Sequence, residues 1–397
     1  MTQLAERLSR ISEPETIKMA KLSRELKAQG IDIVDLSIGE PDFETPVHIR
    51  DAAKKAIDEG FTHYTPVAGY ADLRQAVAHK LKRDNGLEYT PEQIVVSTGA
   101  KQSIANAVLS IVNPGDEVII PTPYWVTYSE LVKLCQGVVK FVPCSIENKY
   151  KITPEQLEAA ITPATRLFMF SSPCNPTGAV YSKAELAALA EVFARHPEVF
   201  IIADEIYEYI NYVGKHESIA QFGDLKDRTI IINGLSKGFA MTGWRLGYLA
   251  APPAIAKAAD KIQSQFTSAT CSITQRAAIT ALTGELTSAM AMVAKFKERR
   301  AFIYKALSDI PGLKVIEPEG AFYMFPDVTA FFGTSYDGTT VKNADDLCMY
   351  LLHKFHISVV TGAAFQQPGC IRISYANSME KLAEGVKRMA EGLGKLK

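Results

Sequence analysis

The chain has 397 residues, 47% hydrophobic and 22% charged, the balance of a soluble globular protein too long for one ordinary core. A formal net charge of −1 gives no global electrostatic reason to bind nucleic acid or an anionic membrane. No apolar run approaches the roughly 18–20 residues of a membrane helix, and residues 1–10 are polar without a signal-peptide core, so a cytoplasmic protein is expected.

Six cysteines lie at positions 135, 144, 174, 271, 348 and 370, with no Cys-x-x-Cys pair and no histidine cluster to complete a zinc pattern. Buried, reduced thiols are the expectation, and no metal site is expected. None of the seven dispersed histidines stands out as a catalytic base.

From about residue 90 to 250, short β-rich runs alternate with helical patterns. The runs fall at 94–96, 117–120, 167–170, 199–202 and 229–232. Their apolar residues are continuous rather than alternating, which marks strands covered on both faces, as in a parallel sheet flanked by helices. Helix starts lie between them. Thr153-Pro154-Glu155-Gln156 and Ser182-Lys183-Ala184-Glu185 are capping boxes, in which side chains satisfy the otherwise unpaired N–H groups. After the second box, Leu186, Leu189, Ala190 and Phe193 form one apolar stripe. A long helix is expected from about Thr287 to Ser308, with Val293, Phe296, Ile303 and Leu307 on one side. A further α/β pattern follows, with strands at 357–360 and 371–375. The fold class is therefore α/β: a large domain with a mostly parallel sheet, then a smaller α/β domain.

Three polar signals fall just past the carboxyl ends of three of these runs. They are Ser172-Pro173-Cys174-Asn175-Pro176-Thr177-Gly178, Asp204-Glu205-Ile206-Tyr207, and Asn233-Gly234-Leu235-Ser236-Lys237 followed by Met241-Thr242-Gly243-Trp244-Arg245. Open α/β sheets bind ligands at that edge, so Asn175, Asp204, Tyr207, Lys237 and Arg245 are expected to converge. Singly, each has an ordinary reading as a turn, a helix cap, a solvated charge or half of a surface ion pair. On successive strand ends they make a set that is hard to obtain by accident.

A common chemistry asks for this set. A lysine amine forms a Schiff base with an aldehyde cofactor and then lies close enough to shuttle a proton. Pyridoxal phosphate draws electrons best with its ring nitrogen protonated, which a neighbouring aspartate favours. Amide and hydroxyl donors suit the ring's phenolate oxygen. The phosphate needs an arginine and the N–H groups of a helix N-terminus, and Ser97-Thr98-Gly99-Ala100-Lys101-Gln102 opens a helix directly after the run at 94–96.

At these residues the chain resembles the fold-type-I pyridoxal-phosphate aminotransferases, and among them the bacterial aspartate aminotransferases, a group that includes aspartate/prephenate enzymes. The resemblance runs nearly the whole length. It takes in Gly39-Glu40-Pro41-Asp42-Phe43, Tyr64 with Gly69, Gly99-Ala100-Lys101-Gln102 and Pro123-Tyr124-Trp125. It continues through the three strand-end motifs to Gly320-Ala321-Phe322-Tyr323 and to Arg372 before Ser374-Tyr375.

The resemblance implies that Lys237 carries the cofactor and moves the proton, and that Asp204 pairs the pyridine nitrogen. It implies that Asn175 and Tyr207 hold the phenolic oxygen while Trp125 stacks on the ring. The phosphate would rest on Gly99, Ala100, Lys101, Ser236 and Arg245, with Tyr64 reaching the other subunit's cofactor in a homodimer with shared active sites. Arg372, with Gly39 nearby, would clamp the substrate α-carboxylate, and Trp125 and Asn175 would also touch substrate. Ile371 and Ile373 on either side of Arg372 point to a partly buried arginine with an anionic partner. The implied division is 1–45 as an N-terminal arm and part of the small domain, 46–290 as the large cofactor domain, and 291–397 as the small C-terminal domain.

The expected reaction moves the amino group of L-aspartate to 2-oxoglutarate, giving oxaloacetate and L-glutamate. A dicarboxylate needs a second cation. Related bacterial enzymes place a lysine where Lys101 stands, and residues 263–270 hold no arginine to serve instead. The stretch 11–15 lacks the basic residue that accompanies prephenate activity in some relatives, which ranks prephenate below aspartate. Aromatic amino acids, or lyase chemistry on the same scaffold, are the other readings. A regulator with an appended DNA-binding module is not expected, because the aminotransferase pattern begins within the first forty residues.

Overall fold

The continuous apolar runs all become strands of one seven-stranded sheet. In the computed structural model, which describes residues 4–397, these strands are β1 (Ile94–Ser97), β2 (Glu117–Thr122), β3 (Val138–Pro143), β4 (Thr165–Ser171), β5 (Phe200–Asp204), β6 (Thr229–Gly234) and β7 (Gly247–Ala250). The first three residues of the polar N-terminal stretch lie outside the described residues. The spatial order is β1-β7-β6-β5-β4-β2-β3. β7 runs antiparallel to both neighbours, and every other pairing is parallel.

β3 and β7 are absent from the runs read in the sequence, for physical reasons. β3 is an edge strand with only Val142 buried, so it lacks a continuous apolar signature. β7 is four residues long and begins on glycine.

The helices that bear on the site are α1 (Glu15–Ala28), α2 (Ala100–Ile111), α3 (Thr127–Leu134), α4 (Pro154–Ala160), α5 (Lys183–Ala194) and α6 (Thr287–Ser308). Both capping boxes form. Thr153 Oγ1 accepts from Gln156 N at 3.2 Å to start α4, and Ser182 Oγ accepts from Glu185 N at 3.3 Å to start α5. Strand alternation then sorts the sheet's two faces. Met169 and Ile202 pack with Ile104 and Val108 of α2 and Val132 of α3, while Phe168 and Ile201 pack with Leu157 of α4 and Leu189 of α5. Each such fully buried side chain contributes about 1.5–3 kcal/mol of hydrophobic stabilisation.

α6 spans the expected residues, and Phe296, Ile303 and Leu307 are fully buried from it, whereas Val293 is only partly covered. They share a core with Val34, Leu36, Phe322 and Ile373. The expected strand at 357–360 is divided at Val359. Ile357–Ser358 pairs in parallel with Val34–Asp35, and Val360–Thr361 turns to pair antiparallel with Ile371–Ser374, which in turn pairs with Tyr323–Met324.

All six cysteines are free thiols. Four are buried as expected, but Cys135 is half-buried and Cys271 is exposed, standing just ahead of the helix Ser272–Thr283. Among the described residues no single helix is long and apolar enough to cross a membrane.

Candidate active site

Parallel strands finish side by side. Ser171 at the end of β4 is in register with Asp204 of β5, and Asp204 with Ile232 of β6, so the loops leaving all three meet at one edge. A cavity of about 400 Å³ opens there. Gly39, Ala100, Lys101, Trp125, Asn175, Asp204, Tyr207, Ser236, Lys237, Arg245 and Arg372 all line it. Two of the residues named from sequence do not. Gly99 lies behind Arg245, and Tyr64 is 99% exposed and outside the cavity of its own chain.

Lys237 is half-buried, with Nζ donating to the Gly39 carbonyl at 2.6 Å. Burial lowers its pKa to about 8. Glu40 opposes the shift, and the neighbouring cations Arg372 and Arg245 reinforce it. Asp204 is 5% exposed, and burial raises its pKa to about 6. Two donors work against that rise: Tyr128 Oη at 2.7 Å from Oδ2, and the Ile206 N–H at 3.3 Å from Oδ1.

A phosphate-sized anion finds a built cradle beside them. The N–H groups of Ala100 and Lys101 open α2 and have no acceptor among the described residues. Arg245, in a left-handed backbone conformation (φ 54°), folds its guanidinium over this turn. It comes so close that a Cβ on Gly99 would lie 2.5 Å from its Nη2, so glycine is required there. Buried Ser236 lines the cavity as well.

Arg372 is only 2% exposed, deeper than the partial burial expected. Its Nη1 donates to Asn175 Oδ1 at 3.0 Å and its Nη2 to the Ser37 carbonyl at 2.6 Å, while Nε is buried with no partner. Among the described residues no carboxylate pairs with it. A buried guanidinium held only by neutral acceptors is costly unless an anion arrives from outside. Lys101 is exposed as a whole residue, but its ammonium lies 5.0 Å over the Trp125 ring, deep enough for burial, and then Arg245, to lower its pKa.

Other residues join the site without having been named for it in the sequence. Tyr128 reaches Asp204, and Tyr323 Oη bonds Tyr207 Oη at 2.8 Å. Ile17, Ala20 and Arg24, spaced i, i+3, i+7, turn one face of α1 toward the cavity. The i, i+3 pairing of Trp125 with Tyr128 is the one local signal for Tyr128. The face of α1 gives no such signal, because nothing in its own spacing says what it covers.

Elsewhere, Glu205, Glu208 and His216 bring ligand atoms within 4.8 Å of one another. The Lys80 ammonium already pairs with Glu208 there, and His216 Nε2 lies 3.1 Å from Glu205 Oε2.

The donor set fits pyridoxal phosphate: an amine whose pKa is lowered to about 8, a carboxylate for a ring nitrogen, an open helix N-terminus with an arginine, and the Asn175 amide and Tyr207 hydroxyl on the same cavity wall. Comparison with known proteins agrees. The family described as aminotransferase class I and II matches residues 31–389. A "Bifunctional aspartate aminotransferase and glutamate/aspartate-prephenate aminotransferase" of Petunia hybrida is 46% identical over 99% of this chain and 83% of its own length. An "Aspartate/prephenate aminotransferase" of Nitrosomonas europaea is 45% identical over 98% of this chain and 99% of its own. The crystal structure of the aspartate aminotransferase of Rhizobium meliloti superposes with a TM-score of 0.97 at 42% identity, covering 100% of both chains. That of Thermus thermophilus with maleate superposes at 0.92 and 38% identity, over 99% of this chain and 100% of that one. With fold, site and relatives in agreement along its length, the chain belongs to the class I and II aminotransferase family.

Proposed function

We propose that this aminotransferase moves the amino group of L-aspartate to 2-oxoglutarate, giving oxaloacetate and L-glutamate. The observation that carries this reading is charge. Arg24, Lys101, Lys237, Arg245 and Arg372 line the cavity against the single carboxylate of Asp204. With Lys237 taken up by the cofactor and Arg245 by its phosphate, Arg372 and Lys101 remain as cations for the two carboxylates of a dicarboxylate. A monocarboxylate amino acid leaves one cation unanswered. The Thermus relative was solved with maleate, itself a dicarboxylate.

Bound pyridoxal phosphate supplies the electron sink that lets an amino group leave one carbon skeleton for another. The chain's own residues do the rest. Lys237 Nζ would hold the cofactor, and once freed would carry the proton to and from the substrate α-carbon. Asp204 would pair the ring nitrogen, Asn175 and Tyr207 would hold the phenolic oxygen, and Trp125 would stack on the ring. The N–H groups of Ala100 and Lys101, with Ser236 and Arg245, would hold the phosphate, joined by Tyr64 from a second subunit. Arg372, with Gly39 beside it, binds the α-carboxylate, and Lys101 the distal one.

Lys101→Ala tests the substrate. A hydrogen bond to a charged group is worth about 1.5–3 kcal/mol. kcat/KM for aspartate and glutamate should therefore fall roughly ten- to a hundredfold. Alanine and phenylalanine should be affected far less. An equal loss for all four, with a matching loss of cofactor affinity, would assign Lys101 to the phosphate alone.

One observation favours prephenate as a second substrate. Residues 11–15 carry no basic side chain, yet Arg24, further along the same segment, lines the cavity. It is exposed and makes no ion pair among the described residues. A bulky dicarboxylate could meet it. An assay with prephenate as acceptor, run on the parent and on Arg24→Ala, decides this.

Our reading of the organisation is a large domain over 46–290, a small one over 291–397, and an arm over 1–45 that packs with the small domain. The core shared by Leu36, Phe296 and Ile373 supports it. A cytoplasmic homodimer completes the reading.

A further inference from the structure

We propose that Tyr128 is a positioning residue for this site: by donating its hydroxyl to Asp204 Oδ2, it fixes the plane of that carboxylate and keeps it an anion facing the cavity. The inference rests on the reading of Asp204 above and acts through it.

The contact is 2.7 Å long and the tyrosine is 1% exposed. The direction of the bond follows from chemistry. Burial, then the charge of Asp204, holds the phenol well above its ordinary pKa, so the hydroxyl keeps its hydrogen and the carboxylate accepts. The ring has little freedom to turn away. It rises from α3, stands edge-on to Trp125 at 5.6 Å and 81°, and packs in the core that includes Ile104, Met169 and Ile202. Removing the hydroxyl leaves Asp204 with one hydrogen-bond donor, the 3.3 Å contact from Ile206 N–H.

The titratable groups facing Asp204 come from several elements: Tyr128 on α3, Cys174 after β4, Lys237 after β6, and Glu205 and Tyr207 beyond β5. Lys237 favours the carboxylate, while burial and Glu205 favour the neutral acid. Tyr128 is the nearest donor in that balance. A protonated Asp204 would present a neutral acid to the cofactor's ring nitrogen and could not hold it charged.

Tyr128→Phe removes one oxygen and keeps the ring. In cofactor-free protein labelled with 13C-aspartate, the Asp204 carboxyl signal is identified by its loss in Asp204→Asn. Its midpoint in Tyr128→Phe should lie about one pH unit or more above that of the parent. In the loaded enzyme kcat should fall about ten- to a hundredfold, and the acidic limb of its pH profile should move in the same direction. Tyr124→Phe is the control, since that hydroxyl bonds Ser129 Oγ at 2.7 Å instead. It should leave the Asp204 midpoint in place.

Should Tyr128→Phe fail to fold, 3,5-difluorotyrosine at position 128, a stronger donor of the same shape, should lower the midpoint. An unmoved midpoint in either Tyr128 variant overturns the proposal, as does an equal shift in Tyr124→Phe. If Asp204→Asn transaminates at the parental rate, the reading of Asp204 fails and takes the proposal with it. The titration in cofactor-free protein tells these two failures apart.

Discussion

Burial sets when the Lys237 amine can attack an aldehyde. Its pKa is lowered from 10.5 to about 8, so the neutral nucleophile dominates above pH 8 rather than only in strong alkali. The sign is simple: below the pKa the amine is protonated and inert. The rate at which cofactor-free protein captures pyridoxal phosphate should therefore rise with pH and level off near 8. A rate that keeps climbing toward 10.5 would mean that the amine is not shielded as the structure has it. Borohydride reduction followed by mass spectrometry should place the pyridoxyl group on Lys237, and Lys237→Ala should carry none. Arg372 makes a useful contrast. Burial lowers its pKa too, but a guanidinium keeps its charge at any working pH. In the proposed reading one residue is thus a switchable nucleophile and the other a permanent anion receptor, and the same cavity needs both.

Two glycines let a strand pass beneath the N-terminus of α2. A Cβ on Gly247 would collide with Ala100 N and come within 2.6 Å of Gly99 C, and Gly234 and Gly247 face each other across β6 and β7. Gly247→Ala should push the opening turn of α2 off its seat, weakening the phosphate cradle before it unfolds the domain. The expected result is a cofactor dissociation constant raised about tenfold or more, with about 1–3 kcal/mol lost in unfolding of the cofactor-free protein. Gly394→Ala, where nothing lies within 4 Å, is the control and should weaken neither. This contact also marks where sequence reading stops. The central strands were legible because a strand covered on both faces is apolar throughout, and the capping boxes because all their atoms are local. The residues at the ends of β4, β5 and β6 were legible because parallel strands deliver their ends to one edge. β7 was not, since four residues beginning on glycine have no period to read. Tyr128 was not, because a tyrosine on the buried face of an amphipathic helix reads as core and its partner lies 76 residues away. The face of α1 over the cavity was not, because only the folded chain shows what it covers.

The single chain leaves one of its expected phosphate ligands outside its own cavity. Tyr64 is 99% exposed, although its neighbourhood is well anchored: Gln275 Nε2 donates to Thr65 Oγ1 at 2.9 Å, and Tyr70 N donates to Gln275 Oε1 at 2.8 Å. An exposed tyrosine on a fixed backbone is free to serve another molecule, and in the proposed two-fold dimer each subunit's Tyr64 would reach the other's cavity. Sedimentation should therefore give a dimer, and a fully active monomer would rule this out. Mixed dimers test the sharing itself. Take one subunit with Tyr64→Phe and the other with Lys237→Ala. If Tyr64 crosses over, one cavity combines the intact Lys237 of the first subunit with the intact Tyr64 of the second, and the other cavity collects both defects. The mixed dimer should then show half of the parental activity, with parental affinity for cofactor at the working site. If Tyr64 served its own chain, the only cavity with a lysine would lack the tyrosine. Activity would then stay at half that of Tyr64→Phe alone, with cofactor affinity weakened by the loss of a charge-assisted hydrogen bond of about 1.5–3 kcal/mol.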